Sequence, residues 1–453
     1  MVKNLLYFPS IAALGNGPKI LACDFDGTMR RCSAKAIRWL DGHAKTPFTG
    51  KNMNILIADK YPEAHLERFK QLGCFVTYEP SVAAEDLHKL ITGHKVLIVR
   101  SKKVTAEALK AADQLTLVLR AGAGVNTIDV KTASELGIFV ANCPGKNSIA
   151  VAELVFALLL GVDRRIAENT ADLRAHKWNK KEYSKADGLF GKTLGVIGVG
   201  AIGGEVISRA RAFGLNVIAW SRSLTPEKAE AMGVECCTDM DDVFRRADII
   251  SLHTALKPET RKLVNAERLA LMKPNAILIN TARGEIVDQP ALLAALNKGK
   301  IRAGLDVFDP EPAGGTADFS DPILDAPNLC GTHHIGASTE QAQDAIAEEA
   351  FRVVSAFVKT GEVPNCVNLA KRTPAKCQLI VRHYDRVGVL AFVLDQIRAR
   401  GINVEEVQNI IFDGAAAASC RIQLMEEPSA DVLAGIKSGN PNIISVEVIR
   451  LDP

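Results

Sequence analysis

Between Met53 and Asn147, short apolar runs alternate with segments of helical spacing. The runs Ile55–Ala58, Cys74–Thr77, Val96–Val99, Leu117–Arg120 and Phe139–Ala141 read as strands. The stretches around 62–71, 83–91, 104–112 and 129–135 read as the helices between them. Such alternation predicts a parallel sheet covered by helices. Ser148–Arg165 reads as a long apolar helix with Ser148 as its N-cap, and 166–190 as a polar stretch able to lie over a cleft. The pattern then resumes: strand Leu194–Ile197, a helix ending at Phe213, and strands Val217–Trp220, Ala247–Leu252, Ala276–Ile279 and Ala303–Val307. Thr339–Thr360 is a further long helix, and 363–375 reads as a linker. The tail repeats a different order. Strands at Leu379–His383, Gly401–Val404, Ala416–Leu424 and Ile444–Leu451, with helices over Val387–Arg400 and Ala430–Ser438, give β-α-β-β-α-β, a ferredoxin-like unit.

The turn between Ile197 and the following helix carries the first chemical signal. Gly198-Val199-Gly200-Ala201-Ile202-Gly203 sits between a strand and a helix, and a second strand follows. In that context G-x-G-x-x-G holds a dinucleotide. Gly198 permits the tight turn, Gly200 lets the backbone approach a pyrophosphate, and Gly203 lets helix and strand pack closely. The free amides at the helix start, including those of Ala201 and Ile202, then face the phosphates.

Composition narrows the partners. The chain has 453 residues, 47% hydrophobic and 24% charged, with a net charge of +3. That balance argues against a nucleic-acid or membrane surface and for a small-molecule ligand. The ten cysteines are scattered without a C-x-x-C pair, which fits reduced thiols in a cytoplasmic protein and no metal site. The apolar stretch Val151–Val162 contains Glu153 and is too short to span a bilayer.

Ligands of open α/β sheets lie at the carboxyl ends of the strands. In the first sheet those ends carry Arg100-Ser101-Lys102-Lys103, Arg120-Ala121-Gly122-Ala123-Gly124 and Cys143-Pro144-Gly145-Lys146-Asn147-Ser148, which suit an anionic substrate. In the second half, Arg283, Glu311 and His334 stand just beyond strand-like segments. An arginine fork suits a carboxylate. A histidine suits proton transfer near neutral pH, and a carboxylate on its far nitrogen fixes its tautomer. Beside a nicotinamide, these three would interconvert a 2-hydroxy acid and a 2-keto acid. Spacing alone does not establish that they converge.

The motifs VRSKKVT, VLRAGAGVNTIDV, CPGKNSIAVAELVFALLL, GVIGVGAIG, ADIISLHTALKPETRKLVN, MKPNAILINTARGEIVDQPALLAAL, GLDVFDPEP and HHIGASTEQAQ occur in order from Met53 on. In these the chain resembles the D-isomer-specific 2-hydroxyacid dehydrogenases, and within them the enzymes that oxidise 3-phosphoglycerate. The resemblance implies two Rossmann-like parallel-sheet lobes. One is a flavodoxin-like substrate lobe (53–147 and 336–362), the other an NAD(P)-binding lobe (148–335). It implies that Arg283, Glu311 and His334 are catalytic, that Asp306 holds the nicotinamide carboxamide, and that Thr254, Thr281 and Ala282 line the cofactor. It places Arg100, Ser101, Gly122, Ala123, Gly124 and Asn147 at the substrate. It also implies a homodimer or homotetramer. Rival expectations are an NADPH-dependent glyoxylate or hydroxypyruvate reductase and a dinucleotide-sensing, corepressor-like binding protein.

Two positions depart from the family pattern. Thr332-His333-His334 stands where Thr-Pro-His is usual. At the end of the second strand of the dinucleotide unit, NAD users carry an acid; here Ser221 and Arg222 stand there. The local chemistry suits NADP, whereas the family expectation is NAD. The tail resembles an ACT domain in His383-Tyr384-Asp385-Arg386-Val387-Gly388-Val389-Leu390 and Gly401-Ile402-Asn403. That resemblance implies an L-serine effector at His383, Asp385 and Asn403. Residues 1–52 read as an extension of unclear role. Within them Asp24-Phe25-Asp26-Gly27-Thr28 resembles the nucleophile loop of haloacid-dehalogenase-type phosphatases, although too few residues follow it for such a domain.

Overall fold

A computed structural model describes residues 21–23, 29–31, 53–312, 316–370 and 372–451. The Asp24–Thr28 motif lies outside the described residues; Leu21–Cys23 and Met29–Arg31, which flank it, pair as antiparallel strands. The chain forms two compact units, one ending at Asn368 and one beginning at Leu369.

The first unit contains both expected parallel sheets. Strands β1 (Asn54–Ile57), β2 (Phe75–Tyr78), β3 (Val96–Val99), β4 (Leu117–Arg120) and β5 (Phe139–Asn142) run parallel in the order β2-β1-β3-β4-β5. This is the flavodoxin-like order. Leu97, Val118 and Val140 are fully buried, as apolar runs covered on both faces must be. The stretch at 83–91 is less helical than its spacing predicts: a 3-10 turn, Ala84–Asp86, leads into one α-turn, Leu87–Leu90.

Helix α1 (Ser148–Arg164) carries the chain into the second lobe, where Val155, Leu158 and Leu159 join its core. There the strands are β6 (Thr193–Ile197), β7 (Asn216–Trp220), β8 (Glu235–Cys236), β9 (Ile249–Leu252), β10 (Ala276–Asn280), β11 (Ile301–Leu305) and β12 (Leu329–Gly331). Their order, β8-β7-β6-β9-β10-β11-β12, reverses at β6 and places a switch point beside the glycine turn. Helix α2 (Ala201–Ala212) follows that turn. Helix α3 (Glu340–Thr360), capped by Thr339, returns to the first lobe, and Ile346, Ala350, Val353 and Val354 pack with Ile55, Ile57 and Phe69.

Two expectations need correction. The segment 166–190 opens as a helix, Ile166–Arg174, and Tyr183 donates to Asp172. Tyr183 shares a cavity with Arg302 and Asn328, at the amino ends of β11 and β12, so this segment lies away from the carboxyl-end crevice. The start of the linker is not free chain either. Val367 N donates to Val140 O at 2.8 Å, and Asn368 Oδ1 accepts from Val140 N at 2.8 Å. Residues 365–368 thereby occupy hydrogen-bonding groups of the edge strand β5, which would otherwise lie open.

The second unit is ferredoxin-like, with antiparallel strands β13 (Cys377–Tyr384), β14 (Val404–Ile411), β15 (Ala417–Leu424) and β16 (Ile443–Arg450) in the order β14-β15-β13-β16. Leu379 and Val381 alternate inward against Val393, Ile397 and Ile436 of its two helices. The strand expected at Gly401–Val404 begins only at Val404 and runs to Ile411. Gly401, at φ 70°, turns the chain first, and the polar residues Glu405, Glu406, Gln408 and Asn409 hide a strand that is exposed along nearly its whole length.

Candidate active site

Most of the residues singled out in the first unit stand at the carboxyl ends of the two sheets. His334 and Glu311 are brought together: His334 Nδ1 lies 2.8 Å from Glu311 Oε2. The other Glu311 oxygen accepts from Phe308 N at 3.1 Å, which fixes the carboxylate. Burial alone would raise the Glu311 carboxyl; His334, the Phe308 amide and the charge of Arg283 outweigh it and hold it below the usual range. With Nδ1 committed, Nε2 is the ring nitrogen left for a substrate.

His334 adopts φ 53°, a left-handed conformation that costs a non-glycine residue energy unless its surroundings impose it. Asp306 imposes it. The resemblance implies that this carboxylate meets the nicotinamide, but it is 1% exposed and already satisfied by the His334 loop. Oδ1 accepts from Thr332 Oγ1 and Ile335 N at 2.7 and 2.8 Å, and Oδ2 from Gly336 N at 2.9 Å. His334 N also donates to Asp306 O at 2.8 Å. In this structure Asp306 is a positioning residue for the histidine.

Arg283 is aimed by a turn that Asn280 closes: Asn280 Nδ2 donates to Arg283 O at 2.9 Å, and Oδ1 accepts from Ala282 N at 3.0 Å. Gly284 follows directly, and a Cβ there would lie 1.9 Å from Phe308 O. The arginine turn is therefore pressed against the backbone of the glutamate loop. Across the crevice, Arg283 Nη2 reaches Asn126 Oδ1 of the first lobe at 3.3 Å.

The first lobe adds two more guanidiniums. Arg120, to which the motif reading gave no role, donates through Nε to Arg100 O at 2.9 Å. Burial, and then the charges of Arg283 and Arg100, push its pKa down to about 10. Gly122 and Gly124 make room for this cluster: a Cβ on Gly122 would meet the Arg120 guanidinium at 1.9 Å, and one on Gly124 the Arg283 guanidinium at 2.8 Å. Between them, Ala123 O accepts from Asn142 Nδ2. Asp59, also unassigned from sequence, shapes the Arg100–Lys102 turn, its Oδ2 accepting from the amides of Arg100, Ser101 and Lys102, each at 2.8 Å. The Lys102 ammonium turns away to the carbonyls of Pro80 and Val82.

The residues around the glycine turn fit a dinucleotide. A Cβ on Gly203 would lie 2.2 Å from Gly198 O, whereas one on Gly200 would enter open space. Gly198, at φ 101°, abuts His253 and Thr254 of the neighbouring strand end. The buried atoms Thr254 Oγ1, Thr281 Oγ1 and Asn147 Oδ1 have no hydrogen-bond partner among the described residues. Buried polar atoms at a crevice that lack protein partners are what a bound ligand satisfies. Ser221 and the exposed Arg222 follow Trp220, the last residue of β7.

In the second unit His383 does not suit an effector. It is 1% exposed, and its ring nitrogens meet Tyr384 O at 2.8 Å and Asn409 Oδ1 at 3.3 Å. Asn403 is exposed, its amide donating to Glu405 Oε1 at 2.6 Å, and Asp385 is half-buried.

Comparison with known proteins agrees with this geometry. Residues 156–336 match the family model described as D-isomer specific 2-hydroxyacid dehydrogenase, NAD binding domain. A D-3-phosphoglycerate dehydrogenase of Methanocaldococcus jannaschii is 37% identical over 87% of this chain and 74% of its own length. Other relatives of that name are spanned over only 51% to 64% of their lengths. A hydroxypyruvate reductase of Thermotoga maritima is 44% identical over 58% of this chain and 85% of its own length. The structure of an NAD+-bound 3-phosphoglycerate dehydrogenase of Entamoeba histolytica superposes with a TM-score of 0.60 at 26% identity, over 70% of this chain and 99% of the other. The chain belongs to the D-isomer-specific 2-hydroxyacid dehydrogenases.

Proposed function

We propose that the chain oxidises 3-phosphoglycerate to 3-phosphohydroxypyruvate with NAD(P), the entry to L-serine synthesis. The observation that carries this is the cluster of Arg100, Arg120 and Arg283. Three guanidiniums gathered at one crevice are costly unless a multiply charged anion neutralises them. A substrate with a carboxylate at one end and a phosphate at the other supplies that charge.

In this reaction Arg283 grips the carboxylate next to the reacting carbon. His334 Nε2 accepts the proton of the C2 hydroxyl. Glu311 keeps Nδ1 protonated and steadies the imidazolium that forms. A bound nicotinamide supplies the acceptor for the hydride that leaves C2 as the carbonyl forms. Thr254, Thr281, Asn147 and the amides after Gly200 would hold the dinucleotide and the substrate beside it.

Ser221 and Arg222 favour one alternative, an NADPH-dependent reductase of glyoxylate or hydroxypyruvate. A cytoplasmic homodimer or homotetramer belongs to the proposed reading, and the exposed Val407, Ile410 and Ile411 on edge strand β14 support self-association. L-serine as an effector would rest on Asp385 and Asn403 alone. A panel of 3-phosphoglycerate, glycerate and glycolate with each cofactor tests the substrate. Turnover highest with glycerate or glycolate would reject 3-phosphoglycerate.

A further inference from the structure

We propose that Asn365 is a positioning residue for the substrate site: its side-chain amide, presented from the segment after helix α3, holds the peptide at the end of β5 that in turn holds the glycine loop Gly122-Ala123-Gly124. The inference rests on the reading of that loop as part of the substrate site. One peptide unit stands at its centre. Cys143 N donates to Gly122 O at 2.9 Å, and Asn142 O, the other end of the same peptide, accepts from Asn365 Nδ2 at 3.3 Å. Asn142 Nδ2 also donates to Ala123 O. Two successive carbonyls of the glycine loop therefore depend on how this strand end is turned. That matters to the substrate arginines, because Gly122 and Gly124 border the guanidiniums of Arg120 and Arg283.

Asn365 is itself held where it can do this. The same nitrogen donates to Glu349 Oε1 at 2.7 Å. Glu349, 7% exposed on helix α3, accepts from Arg352 Nη2 at 2.6 Å and lies 3.4 Å from the Lys146 ammonium in the loop after β5. Both donors of the Asn365 amide are thereby spent, one on the helix and one on the strand end. Its backbone adopts φ 58°, a left-handed conformation that asparagine tolerates better than most residues. Asn368 binds the same edge strand toward its amino end, at Val140 N, Ile138 O and Ser134 Oγ. Asn365 is thus the asparagine of this segment that meets the substrate end of β5, and Asn368 provides an internal control.

Steady-state kinetics and calorimetric titration of the full chain with NAD+ and NADP+ test this, with thermal unfolding to check each variant's fold. Asn365→Gly keeps the left-handed backbone and removes the amide. KM for 3-phosphoglycerate should rise about tenfold, the scale of one lost hydrogen bond, while kcat changes less than about threefold and dinucleotide affinity is unchanged. Asn368→Ala should lower the thermal midpoint and leave KM as it is. Asn365→Asp keeps the size and the backbone preference but exchanges donors for acceptors. It should raise KM at least as far, and it decides the matter where the glycine variant does not fold. A KM within about twofold of the parent in the folded variant, or an equal rise of KM in Asn368→Ala, would overturn the positioning and leave the proposed reaction standing. A parent chain that turns over glycerate or glycolate in place of 3-phosphoglycerate would overturn that substrate instead, and the KM of the acid it uses would then decide the positioning. A parent with no turnover of any of the three would overturn both.

Discussion

Arg283 Nη2 and Asn126 Oδ1 meet at 3.3 Å although 157 residues separate them in the chain. The contact ties the arginine of the second lobe to the glycine loop of the first. Because the partner is an amide and not a carboxylate, it orients the guanidinium without neutralising it. Asn126→Ala should raise KM about tenfold while kcat changes only a few-fold, the pattern of lost ground-state binding. Steady-state kinetics in the oxidative direction would show it. An unchanged KM would mean that the contact orients nothing.

Arg120→Met should weaken a doubly charged substrate far more than a singly charged one. KM for 3-phosphoglycerate is expected to rise about tenfold or more, with dinucleotide affinity unchanged. Equal losses for 3-phosphoglycerate and glycerate would show that Arg120 does not meet the phosphate.

Glu311→Gln keeps the shape of the His334 contact and removes its charge. Turnover should fall about 100-fold or more, the scale of a general base left without its orienting partner. Substrate binding should change little. Turnover within twofold of the parent would show that the pair is structural.

Gly284→Ala places a methyl where Phe308 O already lies, 1.9 Å from the ideal Cβ. Relief requires the arginine turn to move away from the glutamate loop. A loss of about 1–3 kcal/mol in stability, typical of overpacking, should accompany a larger loss of turnover. Denaturant unfolding and kcat together would show this; an active, equally stable variant would contradict the packing.

Glu349 links Arg352, Asn365 and Lys146. The Arg352 hydrogen bond, with the bond from Asn365 and the charge of Lys146, outweighs burial and takes its carboxyl down to about 2. A depressed carboxyl stabilises the fold above its unfolded pKa and loses that contribution as pH falls through the folded value. The pH window is therefore about 4.5 down to about 2, and the amount is on the order of 3 kcal/mol. Glu349→Gln should flatten this part of the stability–pH curve. A variant curve parallel to the parent's would show that Glu349 contributes nothing there.

Much of this site can be read from the chain because its parts follow local rules. A strand, a glycine turn and a helix are adjacent in sequence, so Gly198, Gly200 and Gly203 could be given roles before any fold was known. Arg283, Glu311 and His334 stand at strand ends for the same reason. What sequence spacing does not encode is which side chain answers which across the crevice. Asn126 and Asp59 act on residues 157 and about 41 positions away. Asp306 is a ligand contact by family resemblance and becomes a clamp once Thr332, Ile335 and Gly336 fold over it. His383 heads a recognisable motif, yet the alternation of β13 turns it inward.

The Asp59 carboxylate, by holding three successive amides, also decides what the Arg100–Lys102 turn can no longer do. A row of free amides would welcome any oxyanion of roughly the right size. With those amides spent, an incoming anion meets the planar forks of arginine instead, which are selective about the angle between the oxygens they accept. Discrimination among small acids at this wall is thus a matter of orientation before it is a matter of charge.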